Sequence, residues 1–238
     1  MKPVLIDKEK LTLEDVVSIA RQYCPVESTQ EGSQRVERAR ALIDEWVTEK
    51  KVIYGITTGF GALCNVPISE TDTRRLQHKI IMSHAAGIGA PLPEDVVRAI
   101  MAVRLHDLFM GYSGCSLNTL QYLMAFLNKG LTPVVPEKGS VGSSGDLAPM
   151  AHLGLVLLGK GEAFYQGERL SGVRALEKIG LAPLDLAAGE GLALINGTQV
   201  MTGIATLVVH DAIRLAKLAD IACAMSLEIG RASCRERV

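Results

Sequence analysis

The chain has 238 residues, of which 48% are hydrophobic, 21% charged and 4% aromatic, with a formal net charge of −1. That balance describes a folded globular protein rather than a disordered one, and the lack of a basic stripe with interleaved aromatics argues against a nucleic-acid partner. No stretch approaches the roughly 18–20 uninterrupted apolar residues of a membrane span, and the N-terminal MKPVLIDKEKLTLEDVV lacks the apolar run of a signal peptide.

Thr12 stands before LEDVVSIARQYC with acidic residues in the first turn, which predicts a capped helix ending before Pro25. From Gln34 to Lys50, Val36, Ala39, Leu42, Ile43, Trp46 and Val47 recur at helical spacing. A short β-like run, Val52-Ile53-Tyr54, leads into the glycine-rich GITTGFGALCN. Helices are expected at about 69–85, 94–109 and 115–129. LTPVVPEKGSVGSSGD reads as extended chain and then loop, and Asp146 is placed to cap a helix reaching about Leu158. EAFYQGERL predicts a small hairpin turning at Gln166-Gly167. From Ala187 to about Glu228 the pattern is helical and apolar, broken at Ile195-Asn196-Gly197-Thr198. The final GRASCRERV departs from it, and reads as a foreign tail after a truncation rather than a natural helix end at Gly230. Cys24, Cys64, Cys115, Cys223 and Cys234 form no CxxC pair and are odd in number, which points to reduced thiols in a cytoplasmic protein. The histidines lack HExxH spacing, and no metal is assigned.

The loop GSVGSSGDLAP at 139–149 carries the most chemical information. A glycine- and serine-rich loop before a helix could be a linker or a phosphate cradle. The lysine of a P-loop is missing, and a linker does not usually join an apolar strand to an apolar helix. A Ser-Gly pair offers another chemistry. The Gly145 nitrogen can close on the carbonyl carbon of Ser143 with loss of water, and loss of the Ser144 hydroxyl as a second water leaves an exocyclic methylidene. Glycine permits the tight backbone approach that this closure needs.

GSVGSSGDLAPMAHLG resembles the signature of the histidine, phenylalanine and tyrosine ammonia-lyases, whose prosthetic group is 4-methylidene-imidazol-5-one (MIO). The resemblance extends from about Leu11 through Glu228 and covers about half of a typical member. It implies a mainly α fold, with a loop-bearing N-terminal domain with short strands over 1–190, the start of a central long-helix bundle over 191–229, and the tail at 230–238. It implies MIO formed from Ser143-Ser144-Gly145, although the family usually has alanine where Ser143 stands. Ring closure uses only that residue's backbone carbonyl.

Three further blocks extend the resemblance. In YGITTGFG (54–61), Tyr54 matches the family tyrosine that serves as base or proton shuttle on a mobile loop, with Gly61 supporting that loop. In IMSHAAGIGAP (81–91), Ser83-His84 falls where the family selects the substrate side chain, and resembles the histidine-specific members, in which this histidine meets the substrate imidazole. In LINGTQ (194–199), Asn196 matches a residue that contacts substrate and the ring oxygen of the prosthetic group. Asp146 is implied to assist cyclisation. GYSGCS (111–116) also resembles a family segment, although Met110 stands where histidine-specific members commonly carry arginine.

The function so implied is non-oxidative deamination of an aromatic L-amino acid, with L-histidine to trans-urocanate and ammonia as the first choice. Tyrosine or phenylalanine ammonia-lyase, or an aminomutase, are the alternatives. The expected partner is a small-molecule amino acid, with no nucleic acid and no membrane, in a homotetramer when full length. A catalytically inactive fragment is the remaining alternative, because the carboxylate-binding arginine and a further catalytic tyrosine of the family have no match here.

Overall fold

The computed structural model describes residues 2–58, 70–141 and 145–235. The chain opens with β1 (Val4–Leu5), α1 (Leu13–Arg21), β2 (Val26–Glu27) and α2 (Gln30–Thr48). Then come α3 (Glu70–His84), β3 (Ile88–Pro91), α4 (Glu94–Phe109), α5 (Leu117–Lys129), β4 (Leu131–Pro133) and β5 (Pro136–Lys138). The remainder is α6 (Leu147–Leu157), β6 (Glu162–Tyr165), β7 (Glu168–Ser171), α7 (Gly172–Lys178), α8 (Glu190–Ile195) and α9 (Gln199–Arg235). The mainly α class expected from the sequence is what the chain adopts.

Local chemistry explains several boundaries. Thr12 and Asp15 form the two reciprocal bonds of a capping box at the start of α1. The second helix begins at Gln30, earlier than its apolar periodicity suggests, because Thr29 Oγ1 accepts from the Gly32 amide at 3.1 Å. The hairpin forms as expected: Tyr165 pairs with Glu168, and Gln166 and Gly167 take φ of 51° and 79°, which suits a type I′ turn. Val52-Ile53-Tyr54, by contrast, is no strand. The amides of Ile56 and Thr57 both donate to Ile53 O, at 3.1 and 3.0 Å, and this winds the segment into a turn.

The sheets are small and join distant segments. β1 and β2 pair in parallel, β3 and β5 pair antiparallel, and β4 adds to the β6–β7 hairpin to make three strands. They frame a helical core in which α4 packs against α1, α2, α5 and α9, while α3, α6 and α8 pack on one another. Aliphatic residues such as Met101, Leu105, Leu120, Leu123 and Leu153 fill that core, with Phe109 and Phe126 its buried rings.

α4 is buried all round and carries a charge inside. Arg98 is fully buried, and its guanidinium donates to Ile19 O at 2.8 and 3.2 Å and to Leu127 O at 3.1 Å. Those carbonyls belong to the last turns of α1 and α5, where intrahelical donors run out. One cation therefore closes two helix C-termini, whose negative dipole ends favour it. The Tyr23 ring lies 4.0 Å from the guanidinium carbon and adds a cation–π contact.

α9 continues through Gly230 to Arg235, so the helix does not end where the sequence pattern breaks down. A single glycine costs a helix only about 1 kcal/mol. Its first turns are covered by the core, with Val200 and Leu207 buried, whereas Val209, Ile213, Leu218, Ile221 and Met225 are exposed. The helical stretch 190–229 is long and apolar enough to cross a membrane by length and composition, a test that buried helices of bundles also pass.

Replacing Arg98 with methionine leaves Ile19 O and Leu127 O unpaired in the core. At about 1–3 kcal/mol per stranded group, Arg98→Met should lower unfolding free energy by about 2–5 kcal/mol, with Arg98→Lys losing less. Urea titration of the three proteins measures this, and unchanged midpoints would contradict the capping role.

Candidate active site

The break between α8 and α9 is the structural centre of the site. α8 ends at Ile195, α9 begins at Gln199, and Asn196 sits at the turn with extended backbone geometry. The glycine-rich loop docks directly on this break. Gly145, at φ 120°, approaches so closely that a Cβ there would lie 2.3 Å from Gly197 O and 2.4 Å from Gly197 N. Only glycine fits this backbone-on-backbone contact.

Asp146 secures the contact, in a way that corrects the sequence reading. It occupies the N-cap position of α6, yet its side chain makes no capping bond to that helix. Instead the fully buried carboxylate accepts from the Met201 amide at 3.0 Å and from the Ser140 hydroxyl, while the Asp146 amide donates to Gly197 O at 2.7 Å. Asp146 thus caps α9, a helix distant in sequence, where the positive end of the helix dipole favours a carboxylate.

A cleft of about 420 Å³ opens beside the break and is lined by Tyr54, Arg104, Asp107, Leu192, Asn196 and Gln199, among others. Tyr54 and Asn196 line the same cleft, with Gly145 in contact with the neighbouring Gly197. His84 does not line this cleft. It ends α3, which packs on α8, and its Nδ1 lies 2.8 Å from Ile80 O. A carbonyl only accepts, so Nδ1 carries the proton and Nε2 of the neutral ring is an acceptor. Ser143, Ser144 and Gly61 lie outside the described residues.

The backbone around Gly145 fits an MIO group. The three nearest atoms to a Cβ at Gly145 are main-chain atoms of Gly197, a contact compatible with a ring built from backbone. Among the described residues, no cluster of histidine, cysteine and carboxylate side chains could hold a metal ion.

Arg104, Asp107 and Gln199 were not singled out from the sequence. Arg104 is almost wholly buried and donates to Asn196 O at 2.8 Å, to Ala193 O, and to Asp107 Oδ2 at 3.0 Å. Its burial pulls the guanidinium below its ordinary pKa. The available signal was a charge within the apolar run VVRAIMAVRLHDLF, which demands a polar partner if the helix is buried. Nearby, Glu190 accepts from the Ser116 amide and the Thr119 hydroxyl, both at 2.8 Å, and from the Ala187 amide at 2.7 Å. Burial, reinforced by the Glu190 carboxylate, pushes the Cys115 thiol well above its usual pKa, which leaves it a poor nucleophile.

A mainly helical scaffold that sets Gly145 against a helix break, with Tyr54 lining the adjoining cleft, resembles the ammonia-lyases and aminomutases. Histidine ammonia-lyase from Trypanosoma cruzi superposes with a TM-score of 0.89 at 36% identity, over 95% of this chain and 44% of that one. Tyrosine aminomutase from Streptomyces globisporus gives 0.87 at 37%, over 92% and 41%. The family model for aromatic amino acid lyase matches residues 11–236, and the chain belongs to that family. Histidine ammonia-lyase of Streptococcus gordonii is 55% identical over 224 residues, which are 94% of this chain and 44% of that protein. That of Alkaliphilus oremlandii is 53% identical over 231 residues, 97% of this chain and 46% of the relative. The chain thus spans less than half the length of these relatives.

Two outcomes follow from this geometry. Gly145→Ala forces the loop off Gly197, and the strain of a non-glycine residue at that φ is itself about 1–3 kcal/mol. Urea unfolding should show at least that loss, and a neutral substitution would contradict the close approach. The second outcome concerns His152 on α6, whose Nε2 accepts from the Gly87 amide at 3.0 Å and whose pKa is lowered from 6.5 by burial. The unfolded chain then binds this proton more readily than the folded one. Its stabilisation is complete above about pH 6.5 and is lost as pH falls toward the lower folded pKa. The stability advantage of the parent over His152→Gln should therefore shrink between about pH 7.5 and pH 5; a constant difference would show that His152 binds its proton equally well in the folded and unfolded chain.

Proposed function

We propose that this chain forms the MIO-bearing part of a histidine ammonia-lyase that converts L-histidine to trans-urocanate and ammonia. The observation that carries the reading is the docking of Gly145 on the Asn196-Gly197 break, with Tyr54 lining the same cleft. The names of the relatives at 53–55% identity favour histidine over other aromatic amino acids.

In this reading Ser143, Ser144 and Gly145 supply the MIO group, an electrophile that assists departure of the amino group in a way no ordinary side chain can. Tyr54 takes the β-proton, the electron pair of that C–H bond becomes the double bond, and nitrogen leaves with the pair of the Cα–N bond. Asn196 orients the amino acid through its amide. His84, at the end of α3 and outside the cleft lined by Tyr54 and Asn196, is assigned the imidazole by the family resemblance, and its Nε2 acceptor suits a substrate ring N–H. The remaining groups around the substrate come from the rest of a homotetrameric assembly.

An aminomutase is the second reading, supported by the likeness to the Streptomyces globisporus enzyme. Incubation of the protein with L-histidine, L-tyrosine and L-phenylalanine, followed by product identification, separates the two. Urocanate from L-histidine is expected, with Tyr54→Phe slower by about 10²–10⁴-fold. Coumarate, cinnamate or a β-amino acid as the main product would overturn the assignment.

A further inference from the structure

Asn196 has to be held still although it sits in a gap between helices. α8 has only six residues, and an isolated helix so short has little stability of its own. One side chain meets a carbonyl in the last turn of α8 and that of the residue capping it. Arg104 Nη2 donates to Ala193 O and to Asn196 O, at 2.8 Å for the latter. The other side of the gap is held through the same arginine's partner. Asp107 Oδ2 accepts from Arg104 Nη1 at 3.0 Å and from Gln199 Nε2 at 3.1 Å, and Gln199 is the first residue of α9. A single carboxylate oxygen therefore ties both edges of the break to α4, one turn apart.

We propose that Arg104 is a positioning residue for Asn196, acting with Asp107 as a clamp across the helix break. The inference rests on the reading of Asn196 as a substrate contact. Capping a six-residue helix does not in itself call for a buried guanidinium, because water or a glycine turn can close a helix C-terminus without the desolvation of a cation. What the arginine adds is geometry: its planar fork fixes Asn196 O and the Asp107 carboxylate at once. The clamp forms part of the wall of the cleft that also holds Tyr54. Arg98, on the same helix, provides the comparison. It too closes helix C-termini from inside the core, but it bonds to Ile19 and Leu127 and does not line the cleft.

The test combines steady-state kinetics with amide hydrogen exchange on Arg104→Gln, Arg104→Lys, Asp107→Ala and, as a structural control, Arg98→Lys. For Arg104→Gln, kcat for L-histidine should fall by about 10–100-fold, the scale of a small misplacement of a substrate-orienting group. KM should change much less, because the interaction matters most in the transition state. Exchange should rise at amides 194–201 and not through the rest of the core. Arg104→Lys should recover part of both effects, and Arg98→Lys should leave exchange at 194–201 unchanged. Asp107 is half-exposed, so Asp107→Ala should fold even where Arg104→Gln does not, and should raise exchange at 199–201 alone. The proposal is overturned if Arg104→Gln keeps kcat within about twofold, or if exchange rises uniformly in both the Arg104 and Asp107 variants. If the parent protein turns over another aromatic amino acid in place of L-histidine, the proposed substrate fails. The exchange pattern at 194–201 still decides for or against the clamp.

Discussion

The site depends on one buried carboxylate. Asp146 lies at the end of the glycine-rich loop and reaches the first turn of α9, and through its own amide it grips the carbonyl of Gly197. Its two oxygens face opposite ways, one to the loop at Ser140 and one to the helix at Met201. A carboxylate taken fully out of water has to be matched by donors, and here a helix N-terminus supplies them together with a favourable dipole. Because loop and helix break share this anchor, Gly145 and Asn196 are held beside one another by the same few bonds.

Arginine provides the second kind of anchor. With only two aromatic rings among the described buried residues, aliphatic packing supplies volume and little direction. Direction comes from Arg98 and Arg104, which rise from the same helix into opposite parts of the molecule and close the ends of other helices. Arg98 joins α1 and α5 at the back of the core. Arg104 joins α8 to α4 at the cleft.

Features set by neighbours in sequence were legible in advance. The Thr12 capping box, the Gln166-Gly167 turn and the interruption after Ile195 each arise from contacts within a few residues. Asp146 illustrates the limit. Its position before an apolar helix marked it as a cap, and a cap it is, but of the helix that begins at Gln199 and not of its own. No local pattern distinguishes the two. Val52-Ile53-Tyr54 had the composition of a strand, yet found no partner strand, and hydrogen bonds back to Ile53 O wind it into a turn that still delivers Tyr54 to the cleft. Arg104 escaped notice for the same reason as Asp146, since its meaning lies in carbonyls about ninety residues away.

The outer part of α9 shows apolar residues on an exposed face, and the chain spans less than half the length of its relatives. The geometry at Gly145 is present within the fold of this chain. The most direct measurement is the intact mass of the purified protein with peptide mapping of residues 139–149. A mass lower than that of the sequence by two waters, confined to that peptide, is the result expected if Ser143, Ser144 and Gly145 close into the electrophile. An unmodified loop in protein that is folded and assembled would contradict the account.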